Sequence, residues 1–241
     1  MRLEGKVALI SGGARGQGAS EAKLFAKEGA RVVFGDILDQ QSRQVEAEIL
    51  ELGGEAVYLH LEVTSEEHWQ AAVATAVDRF GRLDILVNNA GVVSRGVLED
   101  TTPAEWDLVM EINAKGVFLG TKAAIPEMRR AGGGSIVNIS SFSAAEPNLA
   151  FPTSSTIRAG LSAFVKLFAD KYGNDGIRMN NVLPGFVDSY DVSDEIRSAI
   201  PLGREATVTE IAQTVVFLLS EKASYITGQN IRADGGLGRS M

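Results

Sequence analysis

The sequence predicts an α/β fold with an open parallel sheet covered by helices on both faces. Three observations carry that expectation. Short apolar, β-branched runs alternate with longer amphipathic segments along the whole chain. The runs are continuous rather than alternating, as strands buried on both faces are. The turn after the first run is rich in glycine: Gly12-Gly13-Ala14-Arg15-Gly16-Gln17-Gly18. Strand–helix alternation joined by right-handed crossovers builds a doubly wound sheet. A barrel of eight such units is the alternative. Only about seven strand-like runs occur, and the glycine-rich first turn suits the open sheet better.

Strands are expected at Val7–Ser11, Arg31–Asp36, Ala56–Val63, Asp84–Asn88, Ser135–Ile139, Ile177–Val182 and Asn230–Ala233. Helices are expected at about 17–28, 40–52, 66–80, 104–130, 152–172 and 208–220. Pro103 suits the first position of a helix, and Thr101 or Thr102 can cap it. Gly29, Gly53, Gly81 and Gly173 suit helix ends. The segment 152–172 is apolar nearly all round, with Leu161, Ala163, Phe164, Val165, Leu167 and Phe168. One sheet-facing stripe cannot use them all. The excess suggests contact between subunits, or cover by another part of the chain. No repeat or linker-like tract interrupts the pattern, so residues 1–241 read as a single domain.

Composition narrows the function. The 241 residues include no cysteine, which excludes disulfides, thiolate metal sites and cysteine nucleophiles. The only histidines are His60 and His68, so no metal site is expected. A formal net charge of -8 argues against nucleic acid or an anionic membrane as partner. The chain begins Met-Arg-Leu-Glu-Gly-Lys-Val, runs straight into a strand, and has no apolar stretch near the roughly 18 residues of a membrane span. A cytoplasmic protein is expected.

The glycine turn implies a ligand. Strand Val7–Ser11 feeds Gly12, Gly16 and Gly18, and a helix follows. Such a turn lets the backbone approach a pyrophosphate, while the helix start offers free N–H groups and a positive dipole end. A lone glycine pattern is weak; its place in the first strand–helix unit makes it a Rossmann-type dinucleotide site. Strand two ends in Gly35-Asp36, and that carboxylate suits the ribose hydroxyls of NAD and repels the extra phosphate of NADP. A helix cap is the plainer role for Asp36. Arg15, in the turn, can pair with such a phosphate, yet NAD is favoured over NADP.

With those residues in view, the sequence resembles the short-chain dehydrogenase/reductase family over almost its whole length. The shared marks are the Gly12, Gly16 and Gly18 turn, Asn88-Asn89-Ala90-Gly91, Asn113, Asn138-Ile139-Ser140-Ser141, Pro184-Gly185, and Ile226-Thr227-Gly228-Gln229 with Asp234-Gly235-Gly236. The resemblance is to the hydroxysteroid and cyclic-alcohol dehydrogenases and the 3-oxoacyl reductases. It implies NAD-dependent hydride transfer by an Asn, Ser, Tyr and Lys set. Asn113 and Ser141 match. Thirteen residues past Ser141, where the Tyr usually stands, is Ser154; four further, where the Lys stands, is Arg158. No tyrosine lies between Tyr58 and Tyr172 to rescue the pattern.

A serine hydroxyl is a weaker acid than a phenol and ends short of where the phenol oxygen would be. The missing ring leaves a hollow for water or a larger substrate. Arg158 can hold the nicotinamide ribose and stabilise negative charge, but it is a poor proton shuttle. Three readings follow: hydride transfer with an atypical Asn113–Ser141–Ser154–Arg158 site, redox-neutral lyase or isomerase chemistry, or NAD binding without turnover.

The resemblance also implies a substrate lid over 186–205, with Phe186, Asp188 and Tyr190 facing substrate; Tyr190 supplies a phenol there or simply packs. It places Ile37, Glu62, Val63, Asn89, Ala90, Gly91, Pro184, Gly185, Val187 and Ser189 against the cofactor, beside Gly12, Arg15, Gly16, Gln17, Gly18, Asp36 and Arg158. It implies a homotetramer or a dimer, with the terminal Gly238-Arg239-Ser240-Met241 able to reach a neighbour. Elsewhere, His60 reads as a satisfied structural side chain and His68 as exposed. Trp69 and Trp106 read as packing residues, Gly132-Gly133-Gly134 as a flexible loop, and Glu46–Glu51 as a solvated helix face.

Overall fold

A computed structural model of the chain describes residues 1–239. Seven parallel strands form one sheet in the order β3-β2-β1-β4-β5-β6-β7. They are β1 (Val7–Ser11), β2 (Arg31–Asp36), β3 (Glu55–His60), β4 (Ile85–Asn88), β5 (Gly134–Ile139), β6 (Ile177–Pro184) and β7 (Asn230–Ala233). The order reverses between β1 and β4, so the ends of these strands diverge and open a crevice at their carboxyl edge. The helices are α1 (Gly16–Lys27), α2 (Asp39–Glu51), α3 (Glu66–Phe80), α4 (Pro103–Met110), α5 (Gly116–Arg130), α6 (Pro152–Tyr172), α7 (Asp194–Ala199) and α8 (Val208–Leu219).

The sheet is apolar on both faces, and each face has its own core. Ala8, Ile10 and Val32 pack towards α1 and α8 with Phe25, Val215 and Leu218. Val7, Leu9 and Val33 pack the other way with Trp69, Leu119, Met128 and Phe168 from α3, α5 and α6. Continuous rather than alternating strand sequences are what such a two-faced sheet requires. Pro103 opens α4, and Thr102 closes a reciprocal cap with Glu105. Trp69 is a packing residue, as expected, with its ring N–H donated to Val63 O at 2.9 Å.

Some expectations need correction. The third strand ends at His60, not Val63. Its neighbour β2 stops at Asp36, opposite His60, so Leu61–Val63 leave the sheet with only Leu61 N bonded back to Asp36 O. The segment 104–130 is not one helix. A five-residue π-helical turn, Glu111–Lys115, separates α4 from α5 and shifts the phase of the side chains. Gly173 caps the end of α6, as expected, but in a right-handed conformation; it opens a short 3₁₀ turn, and Gly176 takes the left-handed one. His68 is half-buried rather than exposed, because its ring accepts the Glu62 N–H. His60 is exposed and paired with Asp39 at 2.7 Å. Of the four terminal residues, Ser240 and Met241 lie outside the described residues.

Candidate active site

One cleft of about 860 Å³ runs along the carboxyl edge of the sheet, from Asp36 and Glu62 to Ser154 and Tyr190. Its first half is made of backbone. Helix α1 starts at Gly16 with no side-chain cap, so its N–H groups face the cleft unpaired by any side chain. Two glycines here tolerate no Cβ: one on Gly18, in the first turn of α1, would stand 2.0 Å from Gly12 O, and one on Gly12 would stand 2.8 Å from Ala90 Cα. Gly16, at φ +55, opens onto the cleft, with Ser189 alone nearby at 3.4 Å. Asn89 fixes this loop by donating to Ser11 O at 3.1 Å and Gly12 O at 2.9 Å. Gln17 lines the cleft and buries its Oε1 without a partner among the described residues. Asp36 accepts from Ala14 N and Leu38 N, both at 3.1 Å, one on each oxygen. Each oxygen keeps a lone pair towards the cleft, which suits a ribose diol. Uncapped helix end, orphaned amide and carboxylate together fit a dinucleotide.

The second half is made of side chains. Ser141 lies just past β5, and its Oγ accepts from Ser143 N at 3.2 Å and Ser143 Oγ at 3.0 Å. With both lone pairs used, its own O–H is left to donate. Ser154 and Arg158 lie one turn apart on α6, both nearly buried and both lining the cleft. Arg158 Nη1 donates to Ile139 O, while its buried Nε has no partner among the described residues. Arg158 Nη2 lies where a Cβ on Gly91 would come within 2.7 Å. Burial with no carboxylate beside it pushes the guanidinium pKa down to about 10. Asn113 is fully buried in the π turn, where its amide exchanges two bonds with Val92: Nδ2 to Val92 O at 2.8 Å, and Val92 N to Oδ1 at 3.0 Å. Beneath this half runs a ladder of asparagine amides in strand register. Asn88 donates to Asn138 at 2.8 Å, Asn138 to Asn181 at 2.9 Å, and Asn181 to Asn230 at 2.8 Å.

Comparison with known proteins settles the lineage. A family model described as enoyl-(acyl carrier protein) reductase matches residues 12–238. The chain is 43% identical over 238 residues to the 3-alpha-(or 20-beta)-hydroxysteroid dehydrogenase of Mycobacterium tuberculosis, covering 98% of this chain and 90% of that one. It is 43% identical to the trans-4-hydroxycyclohexanecarboxylate dehydrogenase of Sinomonas cyclohexanicum, covering 98% and 93%. A solved Serratia marcescens short-chain dehydrogenase/reductase with two phenylalanine-to-leucine changes superimposes with a TM-score of 0.94 at 33% identity, covering 99% of this chain and 100% of that one. The chain belongs to the short-chain dehydrogenase/reductase family.

The relatives are dehydrogenases, and this short-chain dehydrogenase/reductase is an enzyme of the oxidoreductase class. Dehydrogenases of the family use a nicotinamide cofactor, which the cradle fits. Most residues singled out in the sequence line the cleft together, from Gly12, Arg15, Asp36 and Ile37 to Ser141, Ser154, Arg158, Phe186 and Tyr190. Three do not. Asn113 sits behind the wall and acts on Val92. Val187 is fully buried in the core, with a strand-like bridge to Ala206. Asp188 turns away and accepts from Val208 N at 2.9 Å, at the start of α8. Sequence reasoning missed Arg95, Phe142 and Phe151, which line the substrate end. The available signal for Arg95 was its place in the loop after β4, at the point where strand order reverses.

Proposed function

We propose that this short-chain dehydrogenase/reductase is an NAD(H)-dependent dehydrogenase of small secondary alcohols and ketones carried on a ring. Its reacting oxygen would be held by Ser141 and Arg158 rather than by a tyrosine and a lysine. The observation that carries the reading is that a Ser141 hydroxyl left to donate and a buried Arg158 cation with an unpartnered Nε line the same cleft. The relatives named above act on ring-borne hydroxyls of steroids and cyclohexane acids, which supports the substrate class.

When bound, the nicotinamide supplies or accepts the hydride. The chain's own residues do the rest. Gly12, Gly16 and Gly18 let the backbone hold the pyrophosphate. Asp36 takes the adenosine ribose and disfavours a phosphate on it, so NAD is preferred over NADP. Ser141 donates to the substrate oxygen. Arg158 stabilises negative charge as it grows on that oxygen. Its Nε and Nη2 also suit the nicotinamide ribose. Ser154 leaves room for a solvent water, which passes a proton to the oxygen during reduction and takes one away during oxidation. The lid over 186–205 is tied at its base, Ala206 N to Phe186 O and Asp188 N to Ala206 O, both at 2.9 Å. That leaves α7 to close over the ring.

Self-association follows from the outer face of α4, α5 and α6. Leu108, Phe118 and Leu167 are all more than half exposed there, which suits a dimer or tetramer.

The test is NADH oxidation by the purified protein against cyclopentanone, cyclohexanone and a steroid ketone, beside the same panel with NADPH. Turnover with NADH preferred is expected, falling about 10²-fold or more in Ser141→Ala. Tight NADH binding with no turnover of any ketone, or of the matching alcohols with NAD, would sink the reading.

A further inference from the structure

The charges lining the cleft are mixed at the nucleotide end, where Arg15 stands with two carboxylates, and of one sign at the other. Asp36 and Glu62, its two carboxylates, sit at the ends of β2 and β3. Beyond Gly91 the lining holds two guanidiniums, Arg95 and Arg158, and no carboxylate. That is unexpected for a chain of net charge -8. Arg158 faces the reacting oxygen. Arg95 has no such assignment.

Arg95 is exposed at the cleft and lies against two aromatic rings. Its guanidinium lies 5.8 Å from the ring centre of Phe151 and 5.8 Å from that of Tyr190. It makes no hydrogen bond or ion pair among the described residues. Arg82 and Arg197, in contrast, direct theirs at Asp84 and Glu205. Ring faces orient a planar cation while leaving its N–H edges free. The loop that carries it is fixed at both ends: Val92 by the Asn113 amide pair, and Gly96 N by a 3.2 Å bond to Ala150 O, next to Phe151. The same end of the cleft carries the apolar side chains Val92, Val93, Ile112, Phe142 and Phe186 beside its serine hydroxyls. Four residues of chain span at most about 14 Å, which bounds the Cα separation of Gly91, under the Arg158 fork, and Arg95.

We infer that Arg95 is the receptor for a carboxylate on the substrate. The substrate is then a small ring with an apolar body, a reacting oxygen at Ser141 and Arg158, and a carboxylate at the far side on Arg95. A carboxylate pairs with a free guanidinium edge through two parallel bonds, which fixes orientation as well as affinity. The inference rests on the dehydrogenase reading above and adds the substrate's charge to it.

The experiment compares 4-oxocyclohexanecarboxylate with its methyl ester, which has the same ring and ketone but no charge. The ratio of kcat/KM for acid over ester is expected to be about 10 to 100 in the wild type, mostly through KM. It should fall to about one in Arg95→Gln and recover in part in Arg95→Lys. Unreactive cyclohexanecarboxylate, titrated calorimetrically into the NADH-loaded protein, gives a readout independent of turnover. It should bind the wild type at least tenfold more tightly than Arg95→Gln, and less tightly as salt rises. A ratio near one in the wild type, or one unchanged by Arg95→Gln, overturns the carboxylate inference and leaves the dehydrogenase standing. If neither these ketones nor the panel above turn over, the dehydrogenase reading fails, and the titration alone still decides whether Arg95 binds a carboxylate.

Discussion

The two halves of the cleft are built by different means. The nucleotide half is backbone: glycines that admit no Cβ, an uncapped helix end, and one carboxylate tied on both oxygens. The reacting half is side chains, and several of their polar atoms are left unpartnered, Arg158 Nε above all. Backbone geometry is stable and general; it holds any dinucleotide of the right shape. Unpaired side chains cost stability and confer selectivity, because a buried donor is satisfied only by the molecule that completes it. Substitutions in the two halves should therefore fail in different ways.

The largest effect belongs to the backbone half. In Gly18→Ala the new methyl meets Gly12 O at 2.0 Å, so the loop must move. Nucleotide binding should fall by about 100-fold or more, and overpacking should lower stability by about 1–3 kcal/mol. Calorimetry with NADH and a thermal melt would show both changes together.

Arg158→Met is the matching change in the reacting half, and there the two readouts should separate. Turnover should drop about 10²- to 10³-fold. Stability should hold or rise, because an apolar side chain of similar volume replaces a buried cation with no carboxylate beside it. A melting temperature that falls with the rate would break the contrast and make Arg158 a structural residue.

Asp36→Ala should have a smaller effect. It removes one charge-assisted contact, so NADH affinity should weaken about tenfold. The preference for NADH over NADPH should narrow, since Arg15 remains. Unchanged affinity would mean that the ribose lies elsewhere.

The smallest effect concerns a liability in the backbone half itself. Glu21 on α1 is fully buried, neither carboxylate oxygen has a partner among the described residues, and burial pushes its pKa up from 4.5 to about 8. Below pH 4.5 both folded and unfolded states carry the proton, and nothing is lost. From there to about pH 8 the unfolded chain ionises while the folded one keeps its proton, so stability declines across that window. Glu21→Gln should flatten the decline and melt higher than the wild type at pH 8, with little difference at pH 4. Parallel melting curves at both pH values would show that Glu21 does not titrate as its burial implies.

The same contrast governs how much was legible in the sequence. Gly12, Gly16, Gly18 and Asp36 stand at fixed offsets from one strand, so local spacing alone locates the nucleotide half. Ser141, Ser154 and Arg158 could be placed only through the family resemblance, whose separations of thirteen and four residues lead to them. The asparagine ladder was out of reach. Asn88, Asn138, Asn181 and Asn230 meet only because four strands pair in one register, which spacing along the chain does not encode. The π turn was hidden for a related reason: one residue of phase shift leaves the apolar period of 104–130 almost intact while turning Asn113 onto Val92. The end of β3 depended on where β2 stops, not on the apolar character of Leu61–Val63. Arg95 reads as an ordinary loop arginine in the sequence, because its neighbours Phe151 and Tyr190 are far from it along the chain.

The loop from Val92 to Gly96 hangs between the Asn113 amide and the Ala150 carbonyl, and neither anchor belongs to the dinucleotide cradle. Its middle, Val93-Ser94-Arg95, is thus an exchangeable cassette. A few substitutions there can recast which molecules enter, for instance by trading the guanidinium for a carboxylate or a phenyl ring, without disturbing the fold or the coenzyme.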